Sequence, residues 1–218
     1  MTNENIMKEA VKRAFEQLDK DSLELFDEMY CSPDEIDFDN FTYGHEYGKE
    51  YEYWTVVANI LEGNYSKYEN TAEYGKAVFK TLDEDSPWLV DHFSYNQYGA
   101  ALRDELSQDE VDRLIKIGGA DPDIYDKKMI DDANLAAGYL SENGGIKSLN
   151  PEILEKYFNY EAFGEGRMSF AHEEGDIIEI GKSIYDISEF DYDLGEEIEQ
   201  KFINQVKNEK THSRGNER

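Results

Sequence analysis

The chain has 218 residues and carries 50 Asp and Glu against 22 Lys and Arg, a formal charge of −28. That balance excludes direct binding to nucleic acid or to an anionic membrane surface, both of which need clustered bases. An aromatic content of 13% with 16 tyrosines excludes an acidic disordered chain, since such chains are poor in aromatics.

Residues 3–19 read as an amphipathic helix with Ile6, Met7, Ala10, Val11, Ala14, Phe15 and Leu18 on its apolar stripe. Asp21 or Ser22 caps a second, short helix carrying Leu25, Phe26 and Met29. Residues 31–50 are irregular, punctuated by Pro33, Gly44 and Gly48, and dense in carboxylates. Residues 51–61 combine the composition of a strand with the spacing of a helix (Tyr51, Trp54, Ala58, Leu61) stopped by Gly63; helix is the favoured reading. Further helices are expected over 70–82 and from Ser86-Pro87.

Ser107-Gln-Asp-Glu110 is a capping box ahead of Val111, Leu114, Ile115 and Ile117, closed by Gly118-Gly119. Asp121-Pro122 opens a long helix to about Asn143. Asn150 and Pro151 are a good N-cap and first helical residue for the apolar face Ile153, Leu154, Tyr157 and Phe158. Tyr160, Phe163 and Gly164 follow as an aromatic hook closed by a glycine suited to positive φ. Residues 167–171 and 176–180 read as strands around Glu173-Glu174-Gly175, with 183–187 as a third. Leu194, Ile198, Phe202, Ile203 and Val206 mark a last helix, and the polar residues 207–218 are expected to be disordered.

The fold class that follows is α+β, mainly α-helical: an elongated acidic body of small helical modules with a small antiparallel β element near the C-terminus. The expected divisions are an N-terminal module over 1–64, a middle helical module over 65–120, a C-terminal α+β module over 121–206 and the tail. Pro87-Trp-Leu-Val-Asp-His-Phe-Ser-Tyr-Asn-Gln-Tyr-Gly99 also parallels residues 151–164 with one residue inserted, and 33–48 is a looser third version. Tandem copies of one small module would suit an elongated molecule.

Little in the chain points to bond-making chemistry. His45-Glu46 lacks the second histidine four residues after the first that a zinc-protease helix needs; Lys49 stands there. Asp19 to Glu24 resembles half a calcium loop without its central glycine and is better explained by helix capping. His172-Glu-Glu-Gly-Asp176 reads as a solvated hairpin turn. No phosphate-binding glycine loop and no nucleophile–base pairing stand out, so neither an enzymatic activity nor a metal or cofactor is expected. The lone Cys31 excludes an internal disulfide and fits a reducing cytoplasm. No apolar run reaches membrane-spanning length, and the opening Met-Thr-Asn-Glu-Asn has no secretory-leader pattern.

Function is therefore sought in the field of the carboxylates. The densest are Asp34, Glu35, Asp37, Asp39, Glu46 and Glu50; Asp83, Glu84 and Asp85; Asp104, Glu105, Asp109, Glu110 and Asp112; Asp131 and Asp132; and Glu152, Glu155, Glu161 and Glu165. Arrayed along a rod, a charge near −28 would imitate roughly 45–50 Å of duplex, about 14 base pairs, at one charge per about 1.7 Å of axis. A rigid helical body of that kind can occupy a groove built of Lys and Arg to hold DNA.

Phe158-Asn-Tyr-Glu-Ala-Phe-Gly164 resembles the Tyr-Glu-Ala-Phe-Gly-Arg-Asp signature of the ArdA antirestriction family, departing at Glu165-Gly166 where that family usually has Arg-Asp. The helix sequence at 133–145 and Gly175-Asp-Ile-Ile-Glu-Ile180 resemble the segments on either side of it, so the resemblance covers roughly residues 130–185. It implies a homodimeric DNA mimic that binds type I restriction–modification enzymes in their DNA groove and travels on mobile elements. The alternative is an acidic inhibitor of another DNA-binding nuclease, such as a CRISPR effector, that fills the channel by shape.

Overall fold

The computed structural model describes residues 3–30, 53–82, 87–119 and 127–215. These residues form a mostly helical fold with eleven α-helices and one small antiparallel sheet. No helix among them is long and apolar enough to cross a membrane. The chain divides into two compact units, residues 1–69 with 171–218, and residues 70–170.

The first unit opens with α1 (Asn3–Phe15) and α2 (Lys20–Met29). Asp19, rather than Asp21 or Ser22, is the N-cap of α2: its carboxylate accepts from the Ser22 N–H at 2.8 Å. That hydrogen bond holds the Asp19 carboxyl below the ordinary carboxylate range. Helix α3 (Tyr53–Glu62) resolves the ambiguity at 51–61 in favour of helix. Every residue from Tyr53 to Ile60 is buried, so α3 has no polar face, which is why its periodicity was weak.

Asn59 sits in the same helix with no exposure. Its amide donates to the Thr55 and Asp191 carbonyls at 2.9 and 2.8 Å, and its oxygen accepts from the Asp191 N–H at 2.7 Å and from Asn64 at 2.9 Å. A buried amide satisfied on both ends fixes where residue 191 meets α3.

The sheet has the order β1–β3–β2, from β1 (Ser66–Tyr68), β2 (Ile177–Ile180) and β3 (Ser183–Asp186). Both pairings are antiparallel; Asp186 faces Ser66 on one side and Ile177 on the other. Gly181, at φ +65°, makes the tight β2–β3 turn. The last helix, α11, runs Leu194–Gly215, so residues 207–215 continue it and are not the disordered tail expected from their polarity. Ile198, Phe202, Ile203 and Val206 join Trp54, Val57, Phe26 and Tyr185 in one core.

The described residues of the second unit form α4 (Thr71–Thr81), α5 (Pro87–Val90), α6 (Tyr95–Glu105), α7 (Gln108–Gly118), α8 (Lys127–Asn143), α9 (Pro151–Tyr157) and the part of α10 (Tyr160–Glu174) up to Phe170. The strand expected at 167–171 is part of α10. Asn159 caps that helix through the Ala162 N–H at 3.1 Å, and Phe163, Gly164 and Met168 are buried at helical spacing. A five-residue alternation is too short to outweigh that continuation. The turn expected at 172–176 is the end of α10, closed by Gly175 at φ +80°. Gly164, read as a positive-φ hook, is instead a helical residue buried by a neighbouring backbone.

The sequence echo between 87–99 and 151–164 has a structural counterpart. Each segment is a Pro-initiated helix, an extended Phe, and a second helix opening on Tyr. Phe93 and Phe158 pair as an antiparallel bridge. The bond from Ser94 N–H to the Tyr157 carbonyl, at 2.8 Å, is answered by one from Asn159 N–H to the His92 carbonyl, at 2.9 Å. Five residues into the second helix, Gly99 lies on the Asp132 carbonyl of α8, and Gly164 on the Thr71 carbonyl of α4. Each motif is thus covered by the helix that precedes the other. The third version, at 33–48, lies outside the described residues.

Candidate functional site

The carboxylates Asp34, Glu35, Asp37, Asp39, Glu46, Glu50, Asp83, Glu84 and Asp85 lie outside the described residues. The other eleven candidates all fall in the second unit. They form two groups along the chain, with Asp131 and Asp132 on α8 between them.

The first group turns the corner from α6 to α7. Asp104 and Glu105 end α6, and Asp109, Glu110 and Asp112 open α7; all five are exposed. The corner is built by the capping box: the Ser107 N–H donates to the Glu110 carboxylate at 3.0 Å. Bonds from the Ser107 hydroxyl and N–H hold the Glu110 carboxyl below its ordinary range. Asp109 and Glu110 also sit where the helix N-terminus favours negative charge. Gln108 donates to Asp112 at 2.8 Å.

The second group follows α9 into α10. Glu152 and Glu155, three apart, and Glu161 and Glu165, four apart, are exposed and share a side of their respective helices. Asn150 caps α9 as expected, accepting from the Ile153 N–H at 2.9 Å, with Pro151 in the first turn. Glu155 pairs with Lys76 at 2.8 Å, an exposed contact of small energetic weight. Lys156 lies over the Tyr157 ring at 5.0 Å, and its amine is raised chiefly by a hydrogen bond with Tyr157.

Asp132 is not part of the acidic surface. It is 6% exposed and pairs with Arg103 of α6, whose Nη2 and Nε donate to one carboxylate oxygen at 2.7 and 2.9 Å. The pair locks α6 to α8 beside Gly99 and leaves no charge for a partner. Asp131 next to it is half-buried. Sequence spacing could not separate the two: successive positions on a helix point about 100° apart, and only the packing of α6 shows which is covered.

No group of three or more His, Cys, Asp or Glu among the described residues is arranged to hold a metal ion. A cleft of about 410 Å³ in the first unit is lined by Leu18, Asp19, Ser22, Ile60, Leu61 and Tyr65 among others. Its one carboxylate, Asp19, is occupied in capping α2. His172, on α10, contacts Glu179 of β2 at 2.8 Å, an exposed pair joining the end of the helix to the hairpin.

Sequence reading missed one surface feature. Trp88 and Phe170 are 46% exposed each and meet edge to face at 5.1 Å between ring centres. They are 82 positions apart in the chain, so no local pattern could have joined them.

No protein-family model matches the chain, and neither a curated protein nor a solved structure matches it.

Proposed function

We propose that the chain is an ArdA-like DNA-mimic antirestriction protein that occupies the DNA-binding groove of a type I restriction–modification enzyme. One observation carries the reading. Nine of the eleven described candidate carboxylates are exposed on helices, and among the described residues only Glu155 of those nine forms a close ion pair, while Glu110 and Glu105 feel the charges of Arg113 and Lys156. Their charge is therefore directed outward. Carried on folded helices, their backbone does not have to be ordered when a partner binds, and that lowers the entropic cost of association.

In this reading the acidic body is elongated and its carboxylates stand in for phosphates. A basic groove would exchange its contacts to phosphate for contacts to carboxylate, steered by long-range attraction and weakened by salt. Homodimerisation, which the ArdA resemblance implies, would have to overcome repulsion between two acidic bodies. The protein performs no chemistry and needs no cofactor; its work is to block.

The test is competition. Labelled duplex DNA bound to a purified type I methyltransferase core is titrated with the protein at low and at physiological salt. Displacement is expected, with an apparent affinity that falls steeply as salt rises. Polyglutamate of equal charge is expected to compete far less well. No displacement at low salt, where attraction is strongest, would sink the proposal; displacement from an RNA-guided nuclease instead would select the alternative inhibitor.

A further inference from the structure

We infer that Trp88 and Phe170 form an aromatic anchor on which an arginine of a basic partner protein stacks. The inference deepens the proposed function by naming a partner contact that is not electrostatic mimicry of phosphate.

The argument begins with the cost of the feature. Two large aromatic rings, each about half exposed, sit in edge contact on one unit of a protein otherwise rich in charge. Single exposed apolar residues are ordinary, but a paired Trp and Phe add to one another as a patch. The other tryptophan, Trp54, is 4% exposed in the first unit's core, so the chain does bury tryptophan where no surface role is served.

Charge identifies the occupant. Trp88 is followed by the exposed Asp91, and the unit that carries both rings has 20 acids against 10 bases. A second acidic copy of this chain, at −28, would be repelled from such surroundings, and so would nucleic acid. A basic protein surface would be attracted. Of the two cationic side chains, the planar guanidinium stacks on an aromatic face and sheds water more readily than an ammonium does. The patch already shows that geometry internally: the Arg167 guanidinium carbon lies 5.9 Å from the Phe170 ring centre. Among the described residues no cation lies over Trp88, the better cation acceptor of the two rings, and it takes an arginine from outside.

Two experiments on the full chain test this, and they fail separately from the proposed function. In the first, binding of a nona-arginine and a nona-lysine peptide is followed by tryptophan fluorescence and, independently, by calorimetry. The arginine peptide is expected to bind several-fold tighter than the lysine peptide and to change the emission of Trp88. Trp88→Ala is expected to remove the preference while retaining general affinity for both. A preference of the same size in Trp88→Ala overturns the inference, whether or not the protein displaces DNA from any enzyme.

In the second, Trp88→Ala and Phe170→Ala enter the DNA-displacement assay. Each is expected to weaken competition about tenfold, the effect of truncating a modest aromatic hot spot, with an unchanged dependence on salt because no charge is lost. Unaltered competition overturns the inference and leaves the proposed function standing. Unchanged circular dichroism and melting temperature show that the variants fold. Sedimentation supplies the last outcome: a dimer that Trp88→Ala converts to monomer makes the patch a self-interface and overturns the inference.

Discussion

The two units solve the same problem, folding under excess negative charge, in different ways. Residues 70–170 carry 20 acids against 10 bases, are continuous in sequence, have helices as their regular elements among the described residues, and are built around a repeated Pro–Phe–Tyr–Gly motif. Residues 1–69 with 171–218 carry 30 acids against 12 bases, are discontinuous, and depend on partners far apart in the chain. The more highly charged unit is the one with the long-range sheet and the aromatic core of Phe26, Tyr53, Trp54 and Phe202, whose rings lie within 4.8–6.0 Å of their neighbours. Self-repulsion grows with net charge, and a core that ties distant segments together opposes it. The less charged unit relies on close helix approach, where Gly75, Gly99, Gly118, Gly138 and Gly164 let backbones touch.

The strongest way to break this comparison is to separate the units. Residues 70–170 expressed alone are expected to melt cooperatively with helical circular dichroism, because their core, from Phe79 to Phe163, lies wholly within them. Residues 1–69 alone are expected not to fold, since β1 pairs only with β3 among the described strands and α3 is covered by α11. A cooperative melt of 1–69 alone would show that the discontinuity is incidental.

Next in size are the glycines of the second unit. Gly164→Ala places a methyl against the Thr71 carbonyl, and Gly99→Ala places one against that of Asp132. Overpacking against backbone is expected to cost about 3 kcal/mol, outweighing the roughly 1 kcal/mol that helix propensity returns. Gly166→Ala, two residues along α10 with nothing within 4 Å of the added methyl, is expected to stabilise by up to about 1 kcal/mol. Chemical denaturation distinguishes the signs, and equal signs at 164 and 166 would overturn the close-approach account.

Asp132→Ala is expected to cost about 2 kcal/mol, below the usual penalty for breaking a buried pair because the Arg103 side chain keeps 32% of its exposure. The variant should compete for a DNA groove as well as the parent wherever it is folded. A selective loss of competition would return Asp132 to the acidic surface.

The smallest effect concerns acid. The Glu110 carboxyl is depressed below its ordinary 4.5 by Ser107. A depressed folded-state value stabilises the fold above the unfolded value and loses that contribution as pH falls through the folded one. Glu110→Gln is therefore expected to melt slightly below the parent at pH 7, with the difference closing as pH falls below the ordinary 4.5 and through the depressed folded value. Differential scanning calorimetry across that range checks it; a gap that widens in acid would reverse the sign.

Much of the second unit was legible because its signals are local. The box at Ser107 and Glu110, the cap at Asn150 with Pro151, and the stop at Gly119 each act within one turn of backbone, and all lie where spacing put them. The echo of 87–99 in 151–164 was visible as letters, but not the exchange of covering helices. The failures have physical causes. Residues 167–171 alternate like a strand, yet Asn159 had already launched a helix through them. Residues 207–215 lack apolar side chains, yet they prolong a helix whose earlier turns are anchored in the core.

The chain by itself determined the helical character, most helix starts and the excess of outward charge, since these depend on residue type and on neighbours within one turn. Only the tertiary structure decided that β1 joins the hairpin of β2 and β3, that Asp132 is a buried tie while Glu110 is exposed, and that Trp88 finds Phe170. Each of those depends on which side of an element is covered by another far along the chain, and local energetics carries no term for that contact.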